Sequence, residues 1–397
     1  MNMDVDVIVV GAGPAGSTAA REIRGRGHGV LLLDRASFPR AKPCGGGVST
    51  ACAALLPFDL SSVVEHEITG LVFGDPASGM VTRDLGHVVA YLTERLQFDA
   101  LLVERAEDAG VEFRDGAEVT GVERQPDGSF EVLVGGGAEI ERLRTRVVIG
   151  ADGANGIVRR ELGFSGELEM GVALEGDLAC PDGVPDWLEG RVALAPGAAP
   201  GGYAWLFPKG KWINIGVGGR EGAGPVLRSE LWEYTRRFGW DPESLEGVRG
   251  HRLPLRRGPL EVAAGGAAVV GDAAGLIDAL AGGGIHGAVV SGIAVAAAAH
   301  DYLEGTAADL SGYAAELERD FLPKLERLRQ VADVVYGWPE ASTWALRHSS
   351  VAWGLASRLV GGADGAGGGA GEVVLRPVAA LGRRRLERMV RPAGSTP

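Results

Sequence analysis

The stretch from Val5 to Asp34 constrains this chain more than any other. Val5–Val10 (VDVIVV) is a short apolar run, as a parallel strand buried on both faces requires. It passes into Gly11-Ala-Gly13-Pro14-Ala15-Gly16, then a helical run to about Arg26, then a second apolar strand, Val30 to Leu33, ending in Asp34. Gly11 suits a tight turn, Gly13 close approach of a ligand to bare backbone, and Gly16 close packing of helix on strand. The helix start behind them offers backbone N–H groups and the positive end of a dipole, which together favour a pyrophosphate. Asp34, twenty-three residues after Gly11, stands where a carboxylate accepts a hydrogen bond from an adenosine ribose. Pro14, Ala15 and Arg35 complete the expected contacts. A glycine-rich packing turn, the bland alternative, would need no acid there.

Further along, the periodicity changes in blocks. Leu92 to Ala109 reads as an amphipathic helix with Leu92, Leu96 and Val103 on one side, and Val119 to Val134 as antiparallel strands joined at Pro126-Asp127-Gly128. Val147–Ile149 and Ala268–Val270 are again short strands of the parallel type. Between about 165 and 261 the strands lengthen and alternate, rich in Trp, Tyr, Pro and Gly. These shifts predict a discontinuous nucleotide-binding domain (1–60, 86–164 and 262–306) and a β-rich substrate domain (61–85 and 165–261). Helices are expected from 307 to 397, interrupted by a glycine-rich linker at 361–371.

Charge narrows the partners. The net charge of −13 argues against nucleic acid, whose phosphates need clustered Lys and Arg. From Glu372 to Pro397, however, six Arg and two Glu leave that end at +4 and the remainder at −17. Cys44, Cys52 and Cys180 form no C-x-x-C pair, so neither a disulfide framework nor a metal site is expected. Without a signal peptide or an apolar run long enough to span a bilayer, the expectation is a cytoplasmic protein.

Two further segments decide which dinucleotide is expected. Gly150-Ala-Asp152-Gly153 with Val158-Arg159-Arg160 follows one strand, and Val269-Val-Gly271-Asp272-Ala-Ala-Gly275 follows another, leading to Gly282-Gly283-Gly284-Ile285 at a helix start. With the N-terminal glycines they resemble the three fingerprints of the para-hydroxybenzoate hydroxylase class of flavoproteins. That resemblance implies an α/β fold with a Rossmann-type FAD-binding domain and an inserted, mainly antiparallel β domain. It places Asp272 at the ribityl chain of FAD and the backbone of Gly282 to Gly284 against the flavin, where a helix dipole stabilises the anionic reduced form. Asp152 and Arg95, in Arg95-Leu-Gln-Phe98-Asp99, are further cofactor candidates; the bland reading of Arg95 is a solvated helix face.

Lys42-Pro-Cys44-Gly45-Gly-Gly47 lies after the second strand, and Gly202-Tyr203-Ala-Trp205-Leu-Phe207-Pro208-Lys209 in the inserted region. Tyr203, Trp205 and Phe207 alternate, so they point to one face of a strand, and Pro208 to Lys211 reads as the turn into a returning strand. Aromatic residues at strand spacing are more often core than substrate cage, and a buried Cys is usually a small hydrophobe. Three glycines beside Cys44, next to an expected flavin, suggest instead a backbone with room for a ligand. Both motifs together resemble the geranylgeranyl reductase family. The resemblance implies FAD-dependent saturation of C=C bonds in a prenyl chain on a lipid, quinone or diphosphate, with Cys44 positioning the alkene or relaying a proton and the three aromatics facing developing positive charge. The chain departs from the family pattern at Ala279 and Gly283, where Pro and Glu are frequent, and His286 reads as a packing residue. With one dinucleotide fingerprint, the reductant is expected to be NAD(P)H bound without its own Rossmann domain, or a ferredoxin-like carrier protein. Tyr203-x-Trp205-x-Phe207-Pro208 also resembles an element of flavin-dependent halogenases, which leaves a flavin-dependent monooxygenase or halogenase as the alternative. A long prenyl substrate is insoluble in water, so Val373 to Arg391, with Val373, Val374, Leu375, Val378, Leu381, Leu386, Met389, Val390 and six Arg, is expected either to touch the inner face of an anionic membrane or to dock as a terminal helix.

Overall fold

The computed structural model describes residues 3–135, 140–354 and 370–390. An eight-stranded sheet is built on Val5–Val10 at its centre. Val30–Leu33 and Glu112–Arg114 lie to one side and Glu141–Gly150 and Ala267–Val269 to the other, all parallel. Val30–Leu33, Ala267–Val269 and the later residues of Val5–Val10 are buried on both faces, which is why these stretches are continuously apolar. The Pro14–Gly25 helix begins directly after Gly13 with Pro at its first turn and packs on the long helix Ile285–Leu303. That approach is close because Gly292 has no side chain: a Cβ there would stand 2.7 Å from the Ala15 carbonyl oxygen. The fold is that of the FAD-binding flavoproteins of the para-hydroxybenzoate hydroxylase type.

A seven-stranded sheet carries Leu245–Arg256, Leu168–Ala179, Trp212–Arg220, Tyr203–Lys209, Arg191–Pro196, Gly70–Phe73 and Val81–Asp84 in that spatial order. Its outer face packs Leu206, Ile213, Ile215 and Val217 under Leu227, Leu231 and Tyr234 of the Leu227–Arg237 helix. Its inner face looks toward the nucleotide-binding layer. A small sheet of Gly47–Ser49, Ala90–Thr93 and Val64–Ile68 bridges the two. Helices Leu322–Gly337, Pro339–His348 and Ala370–Val390 close the remaining side.

One expected element is corrected here. The helix expected from Leu92 begins at Arg95 and ends at Asp108, because Ala90–Thr93 is recruited as the central strand of the small sheet. Leu92 is buried from that strand, Leu96 is exposed, and the helix buries Phe98, Leu101, Leu102, Val103 and Ala106. The glycine-rich run at 361–371 lies outside the described residues except where 370 and 371 open the last helix.

Candidate active site

The inner face of the seven-stranded sheet, the 42–47 loop, the start of the Ile285–Leu303 helix and the C-terminal helices enclose one cavity of about 660 Å³. It runs from Gly13, Pro14 and Ala15 at one end to the apolar residues under helices 322–337 and 339–348 at the other.

At the nucleotide end the three glycines have three different reasons. Gly11 sits at φ +101°, and a Cβ there would lie 2.4 Å from the Ala151 carbonyl oxygen; at Gly16 it would lie 1.8 Å from that of Gly11. Both are demanded by the protein's own packing. Gly13 is not: its nearest neighbour would be the Arg40 guanidinium at 3.6 Å. A bare backbone at a helix N-terminus, unneeded by the fold, fits a cofactor phosphate. Asp34 is buried, accepting from Ala12 N–H at 2.8 Å and Ala36 N–H at 2.9 Å, so it also pins the glycine turn. Arg35 is exposed. Asp152 is raised in pKa by burial and accepts from Val158 N–H at 2.9 Å. Its carboxylate braces the turn, whereas its neighbours Ala151 and Gly153 line the cavity.

At the flavin end Gly271, φ +58°, receives the Ser291 hydroxyl oxygen on its N–H at 3.0 Å. Asp272 lines the cavity with Lys42 Nζ 3.6 Å from its Oδ2. Gly282, Gly283, Gly284 and Ile285 follow along the wall, Gly284 at the N-cap position of the long helix. A Cβ on Gly284 would meet Asp272 Oδ1 at 2.9 Å, but one on Gly283 would meet nothing, again leaving backbone open toward the cavity. His286 packs edge-on against Phe321. Arg95 is not on a solvated face. It is buried, lines the cavity and grips Asp99 through two hydrogen bonds of 2.7 and 2.6 Å. Burial works against its charge, but Asp99 and the neighbouring Cys44 outweigh that and raise its pKa.

Tyr203, Trp205 and Phe207 all line the cavity from one face of their strand, as the alternation predicts. The floor beside them is made by Gly218 on one strand and Gly171 and Ala173 on the next. The Trp205 indole lies over Gly216, where a Cβ would fall 2.0 Å from the ring, and donates to Asn214 Oδ1 at 2.8 Å. Tyr203 stacks on Tyr336, and its hydroxyl donates to the Ala281 carbonyl in the glycine-rich flavin loop. Burial raises the pKa of that phenol.

The glycines after Cys44 line the cavity with their backbone and also answer to the protein's own packing. Gly45 is required because a Cβ would sit 2.5 Å from the Phe207 ring, and Gly46 because φ is +71° and Thr93 O would be 1.8 Å away. Only Gly47 is open, with Leu92 at 3.9 Å. The run therefore lets the loop lie flat on Phe207 and the small sheet while its backbone lines the cavity. It presents Cys44, half-buried, to the cavity, with Sγ accepting from Gly46 N–H at 3.3 Å.

Sequence reasoning did not single out the polar groups around this loop. Lys209, buried at the end of the aromatic strand, donates to the Cys44 carbonyl at 3.1 Å and pairs with Glu94 at 3.3 Å. Glu175, buried on the next strand but one, also lines the cavity. Farther along, Asp333 gathers Arg220, Arg329 and Arg383 at 3.0, 3.3 and 3.1 Å and so ties the sheet to both C-terminal helices. The available signal was parity: Glu169, Gly171, Ala173, Glu175 and Asp177 alternate along one strand, small or acidic at every position facing inward.

The C-terminal helix is docked. Ala379, Gly382 and Leu386 are buried, with Gly382 closely packed on Asp333 and Leu386 beside Tyr336, and Arg257 pairs with Glu387 at 3.6 Å. Its other face exposes Val378, Leu381 and Met389 with Arg384 and Arg385. The side chains of Val373, Val374, Leu375, Arg376, Arg388, Val390 and Arg391 lie outside the described ones. Among the described residues no helix is long and apolar enough to cross a membrane.

Comparison with known proteins gives this geometry its context. Residues 4–195 match the FAD binding domain family. The geranylgeranyl diphosphate reductase of Rhodobacter capsulatus is 32% identical over 349 residues, 84% of this chain and 85% of that protein. The chain belongs to the geranylgeranyl reductase family. This reductase is also 35% identical over 302 residues to the menaquinone reductase of Mycobacterium tuberculosis, covering 70% of this chain and 72% of that one. A geranylgeranyl bacteriochlorophyll reductase-like protein of Thermoplasma acidophilum superposes with a TM-score of 0.68 at 22% identity, covering 97% and 95%. A flavin-dependent brominase superposes with 0.73 at 19% identity over 96% and 99%, so shape alone does not separate reductases from halogenases. Family membership makes the reductase an FAD-dependent oxidoreductase, and the open backbone at Gly13 and Gly283 fits that cofactor.

Proposed function

We propose that this reductase saturates C=C bonds in a prenyl chain carried by a quinone or lipid. The observation that carries the reading is the continuity of the cavity: the wall expected to hold the flavin, Asp272 to Ile285, runs into the trough floored by Gly171, Ala173 and Gly218 and sided by Tyr203, Trp205 and Phe207. An isolated alkene has no carbonyl to polarise, so alignment, dryness and stabilisation of positive charge must lower the barrier. The glycine floor lets a thin branched chain lie close to the sheet, and the three aromatic faces stabilise charge at a tertiary carbon. Reduced FAD, when bound, supplies hydride. Lys209 holds the Cys44 loop in place through the Cys44 carbonyl, keeping the thiol at the cavity wall.

In this reading the nucleotide end holds FAD through Gly11 to Gly16, Asp34 and Arg95, and the two sheets act as separate cofactor and substrate domains. The polar head of the substrate stays at the mouth, and the exposed face of the 370–390 helix (Val378, Leu381, Arg384, Arg385, Met389) meets an anionic bilayer from which the chain is drawn. A nicotinamide or a small redox protein re-reduces the flavin. The test is mass spectrometry of isoprenoid lipids and quinones from a host with and without this chain. A gain of two mass units per reduced bond supports the proposal. Addition of oxygen or halogen to an aromatic compound, with prenyl chains untouched, would replace it with the monooxygenase or halogenase reading.

A further inference from the structure

Hydride accounts for only half of an alkene reduction. The second carbon needs a proton, delivered inside a largely apolar cavity. We propose that Glu175 is the proton donor for that carbon, an inference that rests on the prenyl-reductase reading.

The sheet register places it. Glu175 pairs with Gly216, and Gly216 with Trp205, whose indole covers that glycine, so carboxyl and indole share one row of the sheet face and both line the cavity. The other described acids of the cavity are committed elsewhere. Glu169 pairs with Arg220 at 3.0 Å, Asp272 with Lys42, and Asp333 with its three arginines. Asp278, whose pKa burial raises, accepts from Leu280 N–H at 2.7 Å and lies beside Tyr203, which pairs with Gly218 rather than with the Gly216 of the Glu175 row. The Tyr203 hydroxyl is occupied by a carbonyl and made less acidic by burial. Several charged and polar groups act on the Glu175 carboxyl in opposite senses. Burial dominates and favours its neutral form; Lys209 from the aromatic strand opposes this, Asp177 on its own strand adds to it, and the Cys44 amide and Arg249 oppose it. The outcome is a carboxyl pushed up to about 7, present in both forms near neutrality, as a general acid requires. Lys209 is itself tied to Glu94, whose side chain reaches solvent, so the charged side of this site opens toward solvent there.

The step balances. The π bond opens, one carbon takes hydride with its electron pair from reduced flavin, and the other takes the proton as the Glu175 O–H bond breaks. Flavin is left oxidised and Glu175 a carboxylate, which regains its proton from solvent. Cys44, adjacent but not itself an acid in this scheme, is a positioning residue for the loop.

The test is the substitution Glu175→Gln in FAD-loaded protein. The flavin is photoreduced without air and mixed with a prenylated quinone in detergent, and reoxidation is followed in a single turnover. Wild-type reoxidation should fall about tenfold per pH unit above neutrality, whereas E175Q should be slower by a factor on the order of 10² or more and flat with pH. Independently of turnover, infrared difference spectra of resting wild-type protein should show a protonated carboxyl band titrating near neutrality and absent from E175Q. Should E175Q not fold, Glu175→Asp replaces it, and its rate limb must move with the midpoint of its own carboxyl band. Reoxidation of E175Q at the wild-type rate with the wild-type pH profile overturns the inference while leaving prenyl reduction intact. A wild-type protein that reduces no prenyl chain overturns both.

Discussion

Replacing Glu175 with Gln should change the pH dependence of stability by an amount the structure allows to be worked out. The carboxyl moves from its ordinary 4.5 to about 7 on folding. Its folded-state pKa is raised, so the folded state binds the proton more tightly than the unfolded chain does. The stabilisation is therefore complete below about 4.5 and is lost as pH rises through about 7. Moving from 4.5 to about 7 corresponds to ~3 kcal/mol in full, at about 1.36 kcal/mol for each tenfold in proton affinity. Glutamine does not titrate, and part of the change is already complete at pH 5, so the variant should gain about 2.5 kcal/mol relative to wild type between pH 5 and pH 8.5. For 397 residues the unfolding entropy is roughly 0.8 kcal/mol/K, which makes the gain about 3 °C in Tm. Thermal melts of both FAD-loaded proteins at the two pH values measure it, and other titrating groups cancel because variant and wild type are compared at the same pH. A Tm gap that stays constant between pH 5 and 8.5 would refute the buried, proton-loaded carboxyl.

Gly13→Val should give colourless, folded protein, since a side chain there meets only the Arg40 tip at 3.6 Å in the protein but fills the phosphate approach; bound FAD at wild-type stoichiometry would contradict this. Gly16→Val, which collides with Gly11 O at 1.8 Å, should instead cost folding itself, seen as insoluble expression. Cys44→Ala should keep FAD and Tm, because the loop is held through the Cys44 carbonyl and the glycine packing, yet slow single-turnover alkene reduction; an unchanged rate assigns the thiol to packing alone. The double change Arg384→Glu and Arg385→Glu, on the exposed face of the docked helix, should abolish low-salt co-sedimentation with anionic liposomes without lowering Tm, at about 1 kcal/mol per lost basic residue. Equal co-sedimentation would move substrate entry elsewhere.

The nucleotide-binding unit was legible because its chemistry is local. From Val5 to Asp34, strand, glycine turn, helix and acid are contiguous, and each glycine's purpose follows from a spacing that survives in any context. The inward face of Tyr203, Trp205 and Phe207 was legible for the same reason: a period of two depends on the strand and nothing else. The tertiary structure decided whatever depends on which segment lies opposite. Leu92 fits a helix by its spacing to Leu96, but pairing with Gly47–Ser49 and Val64–Ile68 draws it into a strand. Gly45 and Gly46 suggested room for a ligand and do line the cavity, but only Phe207 and Thr93, far away in sequence, show that packing also requires them. Arg95 became a buried cavity residue because Asp99, one turn on, and the Cys44 loop enclose it. Glu175 is one acid among many in the sequence. It becomes distinctive only through the register that sets it opposite Gly216 and brings Trp205 and the Cys44 amide to the same point. Cross-strand register is set by packing across the whole sheet, so no local pattern around Glu175 carries it.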